Sequence, residues 1–337
     1  MDLPASEIVL LPFDKKQMKI IMKKAITKVR TIAFVLVMIA AWANHAHAEE
    51  PENSVVRVMT YNACRGGTYQ GQPLSQSAKM IELAKADIVG LQEIGDNVPK
   101  LAKMLGWNHS GPFLTRFEIV DHVLGMGKRP WYGIKVKLPS GQHAYAFNAH
   151  LPNPPNQVYQ LLGLKGGYRV YPKIDTEEEA IAGAKKARGK YISRLHKLMK
   201  SFVNTEDPIF VVGDFNEPSH LDWTEAAAKA GHHPMKVAFP TSLMMAEAGF
   251  SDAYRTVHPD EVAKPGLTWS PVYEPAHPDH HFTRIDYVYF KGKGVKVTDA
   301  KVVGEDKEHA DIIVSPYPSD HRAVVATVAL PSQPKPE

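Results

Sequence analysis

Short apolar runs that stop on polar residues recur along this chain. Val55-Val56-Arg57-Val58-Met59-Thr60-Tyr61-Asn62 is a β-branched and aromatic run ending on an amide, the pattern of a strand. Ala86 to Glu93 reads as a buried strand capped by an acid, and Ala144 to Leu151 as a third strand that ends in polar residues. Ile209-Phe210-Val211-Val212-Gly213 is apolar throughout and stops at Asp214 and Asn216, an acid and an amide two residues apart. Such a run predicts a strand buried on both faces, and sites in open α/β folds lie beyond the carboxyl ends of strands of this kind. A turn is the other reading of Gly-Asp-x-Asn, since these are turn formers. Further strands are predicted over Arg284–Lys291, Val295–Gly304 and Ala323–Leu330.

Helical spacing appears in two places. Ala78, Ile81, Glu82 and Lys85 mark Ser75–Lys85, and Tyr191, Leu195, Leu198 and Phe202 share a face of Lys186–Phe202. Each helix leads through a turn into a buried strand that ends in a carboxylate. The repeat predicts two α/β halves facing each other. Between them, residues 152–185 carry Pro152, Pro154, Pro155, Gly163, Gly166, Gly167 and Pro172 ahead of the acidic start Asp175–Glu179. This stretch reads as an irregular loop, either facing substrate or lying on the surface.

The N-terminus follows a different logic. Lys19, Lys23, Lys24, Lys28 and Arg30 precede the apolar run Ile32–Ala41, and Ala46-His47-Ala48 follows it. A basic region, a short hydrophobic region and a small-x-small site predict a signal peptide, residues 1–48, with Met18 or Met22 as alternative starts. The apolar run is short for an uncleaved anchor, so no membrane span is expected after cleavage. The predicted product is secreted or periplasmic.

Removing that leader changes the charge. The chain has 40 Lys and Arg against 36 Asp and Glu. Residues 1–48 hold seven and three of these, leaving 33 basic (40 less 7) and 33 acidic (36 less 3). A neutral mature protein lacks the broad basic field that drives general nucleic-acid affinity. Cys64 is the single cysteine, so no internal disulfide forms, and its place after a strand predicts a buried, inert thiol.

Chemistry concentrates at the strand ends. Asn62, Gln92-Glu93, Asn148-x-His150, Asp214-x-Asn216 and Arg284-Ile285-Asp286 each sit at a predicted strand terminus, and Ser319-Asp320-His321-Arg322 precedes the last strand. Each cluster alone has a bland explanation: a strand-end amide, a satisfied histidine, a structural acceptor. Together they point to one site.

These pieces resemble the endonuclease/exonuclease/phosphatase family, which shares its fold with DNase I. The match runs in order through Thr60-Tyr61-Asn62, Leu91-Gln92-Glu93, Leu114-Thr115-Arg116-Phe117, Asn148-Ala149-His150-Leu151, Gly213-Asp214-Phe215-Asn216, Thr268-Trp269, Arg284-Ile285-Asp286-Tyr287 and Ser319-Asp320-His321-Arg322. It covers the mature chain from about Val55 to Leu330. The resemblance implies a four-layer α/β/β/α sandwich with two central mixed, mostly antiparallel sheets over residues 49–330, followed by a tail at 331–337.

The resemblance also implies roles. Glu93, with Asn62 and Asp320, would hold Mg2+, with Mn2+ or Ca2+ as alternatives, since hard cations take oxygen ligands. His321 would act as general base, oriented by Asp286; Asp214 would position water or a second cation. Asn216 and His150 would bind phosphoryl oxygens. The stretch from Glu93 to Thr115 is shorter than in most family members, and Glu118, Asp121 and Tyr132 are the candidates to support His150. Trp269 is expected at the cleft, and His277, His280 and His281 form a loop beside it that could otherwise bind a transition metal.

The expected function is a metal-dependent hydrolase of phosphodiester or phosphomonoester bonds, acting as a monomer on a small-molecule, lipid-headgroup or nucleic-acid phosphoester. The alternatives are an extracellular endonuclease and a non-catalytic binding module on the same fold. Neutral charge speaks against the first, and the intact Glu93, Asp214, Asp286 and His321 against the second.

Overall fold

The computed structural model describes Lys19 and residues 54–126, 131–164, 171–203, 206–269 and 281–331. The predicted leader, apart from Lys19, and residues 332–337 of the predicted tail lie outside the described residues. No described helix is long and apolar enough to cross a membrane. The chain divides into Met1–Glu52 and a larger unit, Asn53–Glu337, which carries all that follows.

The larger unit holds thirteen strands among its described residues: β1 Ser54–Asn62, β2 Ile88–Gln92, β3 Asn108–Ser110, β4 Phe113–Thr115, β5 Glu118–Leu124, β6 Tyr132–Lys137 and β7 His143–His150. They continue as β8 Ile209–Asp214, β9 Ser251–Asp252, β10 Asp286–Lys291, β11 Lys296–Gly304, β12 Ile312–Ile313 and β13 Ala323–Leu330. One sheet has the order β12-β11-β13-β1-β2-β4-β3, the other β5-β6-β7-β8-β10-β9. β1–β2, β11–β12 and β7–β8 pair in parallel, and the remaining pairs are antiparallel.

Strand periodicity assigns each side chain to a layer, because successive residues point to opposite faces. Val56 and Val58 of β1 join Ile134, Ala146, Phe210, Val212 and Val288 in the core between the sheets. Met59 and Tyr61, one residue out of phase, pack outward with Met80, Ile81 and Leu101 of helices Leu74–Leu83 and Val98–Leu105. On the other sheet, Tyr145, Phe147, Val211 and Tyr287 pack outward on Ile192, Leu195 and Met199 of helix Lys190–Phe202. The molecule is an α/β/β/α sandwich of four layers.

The sheets approach closely at β2. A methyl group on Gly90 would sit 2.3 Å from Val212 Cγ2 and 3.1 Å from Asn148 Oδ1, so only glycine fits there.

Several expectations change in detail. Helix 186–202 starts at Lys190, after a π-turn over Lys185–Gly189, and its buried face centres on Ile192, Leu195 and Met199, with Tyr191, Leu198 and Phe202 at the flanks. Stretch 152–185 holds two helices among its described residues, Gln157–Leu162 and Glu177–Ala184. Asn156 caps the first and Thr176 the second: Thr176 Oγ1 accepts the Glu179 N–H at 3.2 Å, and Glu179 Oε2 in turn accepts the Asp175 N–H at 3.1 Å. Among the described residues, Pro154 and Pro155 precede the first of these helices and Gly163 ends it; Gly166 and Gly167 lie outside the described residues. The β5–β6 hairpin was not predicted; β5 is mostly exposed and carries no clean alternation.

Candidate active site

The face that is apolar in the middle of the sandwich becomes polar at one end. Continuing the two-residue period from Val58 gives Thr60 and Asn62; from Ala146, Asn148 and His150; from Val212, Asp214; and Asp286 begins the same face of β10 as Val288. The pairing register sets Asp214 opposite both Asp286 and His150, and Asn62 opposite Gln92. Residues far apart in sequence thus meet where the inter-sheet core ends.

Asp214 is the hub. Its Oδ1 accepts the Asn216 backbone N–H at 2.8 Å; its Oδ2 accepts Asn216 Nδ2 and Asn62 Nδ2, both at 3.1 Å, and lies 3.3 Å from His150 Nε2. The backbone bond is an Asx turn, so the turn-forming and site-forming readings of Gly-Asp-x-Asn describe one geometry. Glu93 stands at the mouth, its Oε1 3.3 Å from Asn62 Nδ2 and 3.7 Å from His150 Nε2. Glu93 and Asn216 both take left-handed backbone angles, with φ of 55° and 49°. Non-glycine residues held there carry a cost of order 1–3 kcal/mol and cluster at functional sites.

His321 closes the group from the last strand's entry. Its Nδ1 lies 3.0 Å from Asp286 Oδ2, and its Nε2 lies 3.5 Å from Asn62 Nδ2 and 3.9 Å from Asp214 Oδ2. Ser319 fixes the turn by donating its hydroxyl to Asn62 O at 2.6 Å and accepting His321 N–H at 3.1 Å. Thr268 Oγ1 accepts the backbone N–H groups of Ile285 and Asp286.

Charge follows from this packing. Burial alone would depress the His321 imidazole, but the Asp286 and Asp214 carboxylates prevail and raise it to about 10. Burial pushes Asp214 upward, yet His321, His150 and the Asn216 N–H together hold it below the ordinary carboxylate value. Asp286 is raised, by burial first and by Asp214, against the pull of His321.

The donor set suits a hard cation. Glu93, Asp214, Asp286 and Asp320 outnumber the basic groups His150 and His321, so a phosphoester anion meets net repulsion unless a cation intervenes. Asp286 Oδ1 is buried with no hydrogen-bond partner among the described residues. Asp214, Asp286 and His321 offer ligand atoms within 4.8 Å of one another. Glu93 is the more exposed carboxylate, at 40% for its side chain.

The structure brings Asn62, Glu93, His150, Asp214, Asn216, Asp286 and His321 together. Asp320 reaches the edge of the group, where its carboxylate bonds the Cys64 thiol and raises His321 through its charge. That thiol is pushed far up by burial and by Asp320, which leaves it inert. Asn62 Oδ1 accepts Cys64 N–H at 3.1 Å, turning the amide NH2 into the cluster and keeping one lone pair for a cation. Both amide donors of Asn216 are engaged, on Asp214 and on Leu151 O at 3.0 Å, so in this arrangement Asn216 braces Asp214.

The candidate partners of His150 are placed elsewhere. Glu118 pairs with Lys137 at the end of the hairpin away from His150, Asp121 accepts from the backbone N–H of His122, and Tyr132 bonds the Ser110 hydroxyl at 2.7 Å. Glu93 and Asp214 stand beside His150 instead. Arg284 points away from the group into an ion-pair network with Asp222 and Asp252. Trp269 is where the sequence put it, its ring 6.3 Å from that of His321, with Tyr159 and His281 completing an aromatic wall. His277 and His280 lie outside the described residues.

Sequence reasoning missed Arg188 and Glu217. Arg188 is fully buried and donates to Pro152 O, Asn153 O, Pro155 O, Gln157 Oε1 and Glu217 Oε2 at 2.7 to 3.3 Å. It ties the segment after His150 to the residue after Asn216. A basic residue inside a Lys- and Arg-rich helix start gives no signal of this.

A family model described as the endonuclease/exonuclease/phosphatase family matches residues 59–321. The uncharacterised Caenorhabditis elegans protein F14F9.5 is 33% identical over 295 residues, covering 80% of this chain and 90% of its own. Among solved structures, an endonuclease/exonuclease/phosphatase from Beutenbergia cavernae superposes with a TM-score of 0.51 at 19% identity, over 82% of this chain and 72% of that one. TDP2 from C. elegans gives 0.51 at 19%, over 88% and 81%. The human Nocturnin catalytic domain, solved with a bound sulfate anion, gives 0.50 at 16%, over 82% and 94%. These likenesses agree with the four-layer architecture, and the family match agrees with the order of the motifs. The chain belongs to the endonuclease/exonuclease/phosphatase family.

Proposed function

We propose that the protein is an exported, divalent-metal-dependent hydrolase of phosphodiester or phosphomonoester bonds. The observation that carries the reading is His321, held through Nδ1 by Asp286 while Nε2 faces Asn62 and Asp214. A carboxylate on one imidazole nitrogen fixes the tautomer that leaves the other free to accept a proton. In its neutral form His321 takes the proton of the attacking water at Nε2, and Asp286 stabilises the imidazolium that results. Asp214 holds the water, and Asn216 keeps Asp214 in place. His150 faces the same space and donates to a phosphoryl oxygen as its charge grows.

Glu93, with Asn62 and Asp320, would hold Mg2+, which would neutralise phosphoryl charge when bound. Export rests on the character of residues 1–48, and it places the protein in the periplasm or outside the cell. N-terminal sequencing of the mature protein tests it, with Glu49 expected as the first residue.

The decisive assay is hydrolysis of bis(p-nitrophenyl) phosphate and p-nitrophenyl phosphate by the purified protein. Turnover with Mg2+ that is abolished by chelator supports the reading. Absence of turnover on any phosphoester, with intact folding, favours a binding module on the same fold.

A further inference from the structure

Gln92 and Asn148 meet across the two sheets, just inside the reactive group. Ile88, Gly90 and Gln92 share the inner face of β2, as Ala144, Ala146, Asn148 and His150 share that of β7, so each amide is the first polar side chain beyond the inter-sheet core on its strand. Gln92 Nε2 donates to Asn148 Oδ1 at 2.7 Å, and Asn148 Nδ2 donates to Leu91 O at 2.8 Å. The two bonds run from one sheet to the other and back. Gln92 Nε2 also donates to Gly90 O at 3.2 Å, and the Thr60 hydroxyl of β1 donates to Gln92 Oε1 at 3.4 Å. Both residues are 3% exposed, and the bare Gly90 beside them lets Asn148 come this close.

The bridge stands at the root of two functional residues. Glu93 follows Gln92 directly and holds a left-handed φ of 55°, a state that persists only where the surroundings fix it. Two backbone bonds help from the same sheet's side, Ala63 N–H to Gln92 O at 2.8 Å and Gly66 N–H to Glu93 O at 2.9 Å. His150 lies two residues beyond Asn148 on the same face. Glu93 Oε1 and His150 Nε2 are 3.7 Å apart although their strands belong to different sheets. Gln92, Glu93, Asn148 and His150 all line one cavity of about 280 Å3, so the bridge borders the space that a ligand of Glu93 and His150 enters.

We propose that Gln92 and Asn148 are positioning residues whose bridge sets the separation of Glu93, at the cation end, from His150, at the phosphoryl end. The inference rests on the phosphoester reading above and adds the device that keeps the two halves of that site in register. Ser319 and Thr268 brace His321 and Asp286 separately, so the bridge acts on the placement of cation and phosphoester rather than on proton transfer.

Gln92→Met/Asn148→Leu tests it by removing both partners in nearly the same shape, a change that costs less stability than orphaning one of them. Met199→Ala, in the outer core against helix Lys190–Phe202, is the control for loosening away from the site. Crystal structures, Mg2+ affinity by calorimetry without substrate, and steady-state hydrolysis of bis(p-nitrophenyl) phosphate are compared for the three proteins. The double variant is expected to widen the Glu93–His150 separation by about 1 Å and to lower kcat/KM by up to about 10²-fold, through KM more than kcat. Its Mg2+ affinity should fall about tenfold, the lower end for lost support of a metal ligand, while the pH dependence of kcat stays in place. A separation still at 3.7 Å, or Mg2+ affinity and KM no worse than in Met199→Ala, overturns the positioning role. Should the double variant not fold, Asn148→Ser, which admits water in place of the bridge, carries the same readouts. A wild-type protein that neither binds Mg2+ nor hydrolyses any phosphoester defeats the phosphoester reading, and the crystallographic separation then decides the bridge alone.

Discussion

His321 Nδ1 sits 3.0 Å from Asp286 Oδ2, and both side chains are almost wholly buried at the point where the inter-sheet core turns polar. The pair comes from β10 and from the turn before β13, which belong to different sheets. Closing the sandwich is what creates it. If His321 is the base, His321→Ala lowers kcat by about 10²–10⁴-fold, the range of general acid–base catalysis. Asp286→Asn keeps the shape but loses the tautomer control and most of the rate. Steady-state hydrolysis of bis(p-nitrophenyl) phosphate, with circular dichroism to show retained folding, measures both; unchanged kcat in His321→Ala sinks the base assignment.

The same pair makes stability depend on pH when no cation is bound. The His321 imidazole is raised from 6.5 to about 10 in the folded protein. A raised histidine adds stability that is fully present below its unfolded value and is lost as pH rises through the folded one. The chelated protein should therefore lose stability progressively between pH 6.5 and about 10. His321→Gln should flatten that slope. Urea midpoints at intervals across the window give the answer, and parallel slopes for the two proteins would contradict it.

Asp214 accepts hydrogen bonds from Asn62 and Asn216 while buried, and its ionised form is favoured by His321 and His150. Asp214→Asn turns one acceptor oxygen into a donor facing other donors. Each buried donor left unpaired costs about 1–3 kcal/mol, so the variant should be destabilised by that order and nearly inactive. Urea denaturation together with kcat separates the effects. Wild-type activity in a folded variant would remove Asp214 from the mechanism.

Much of this arrangement was legible in the sequence because strand ends announce themselves. Asn62, His150 and Asp214 end their runs, and a period of two carries the buried face of each run onto the polar residue that ends it; Glu93 comes just after β2, and Asp286 opens β10 on the same face as Val288. Arg284 shows the limit: two residues before Asp286 it looks like part of the same cluster, yet it turns to Asp222 and Asp252. Nothing local distinguishes those outcomes, since the partners lie 32 and 62 positions away. The β5–β6 hairpin escaped notice because an exposed edge needs no apolar pattern. Arg188 escaped because burial of a guanidinium depends on carbonyls that only the folded chain assembles.

Arg188 and Glu217 form a buried ion pair at 3.3 Å, with side chains about 1% and 0% exposed. Arg188 also holds three backbone carbonyls after His150, and Glu217 accepts the Thr241 N–H at 2.8 Å. Removing one member leaves a buried charge uncompensated, which costs about 3–5 kcal/mol, whereas removing both charges is often nearly neutral. Arg188→Met should therefore destabilise strongly, and Arg188→Met/Glu217→Gln should recover much of the loss because Gln keeps an oxygen for Thr241. The carbonyls of Pro152, Asn153 and Pro155 stay untethered in both. His150 directly precedes that segment, so KM for a phosphodiester should remain raised in the double variant even where stability returns. Urea midpoints and steady-state kinetics on the same preparations decide it. Recovery of KM together with stability would reduce the pair to a structural element, while its failure to recover shows that the clamp positions His150.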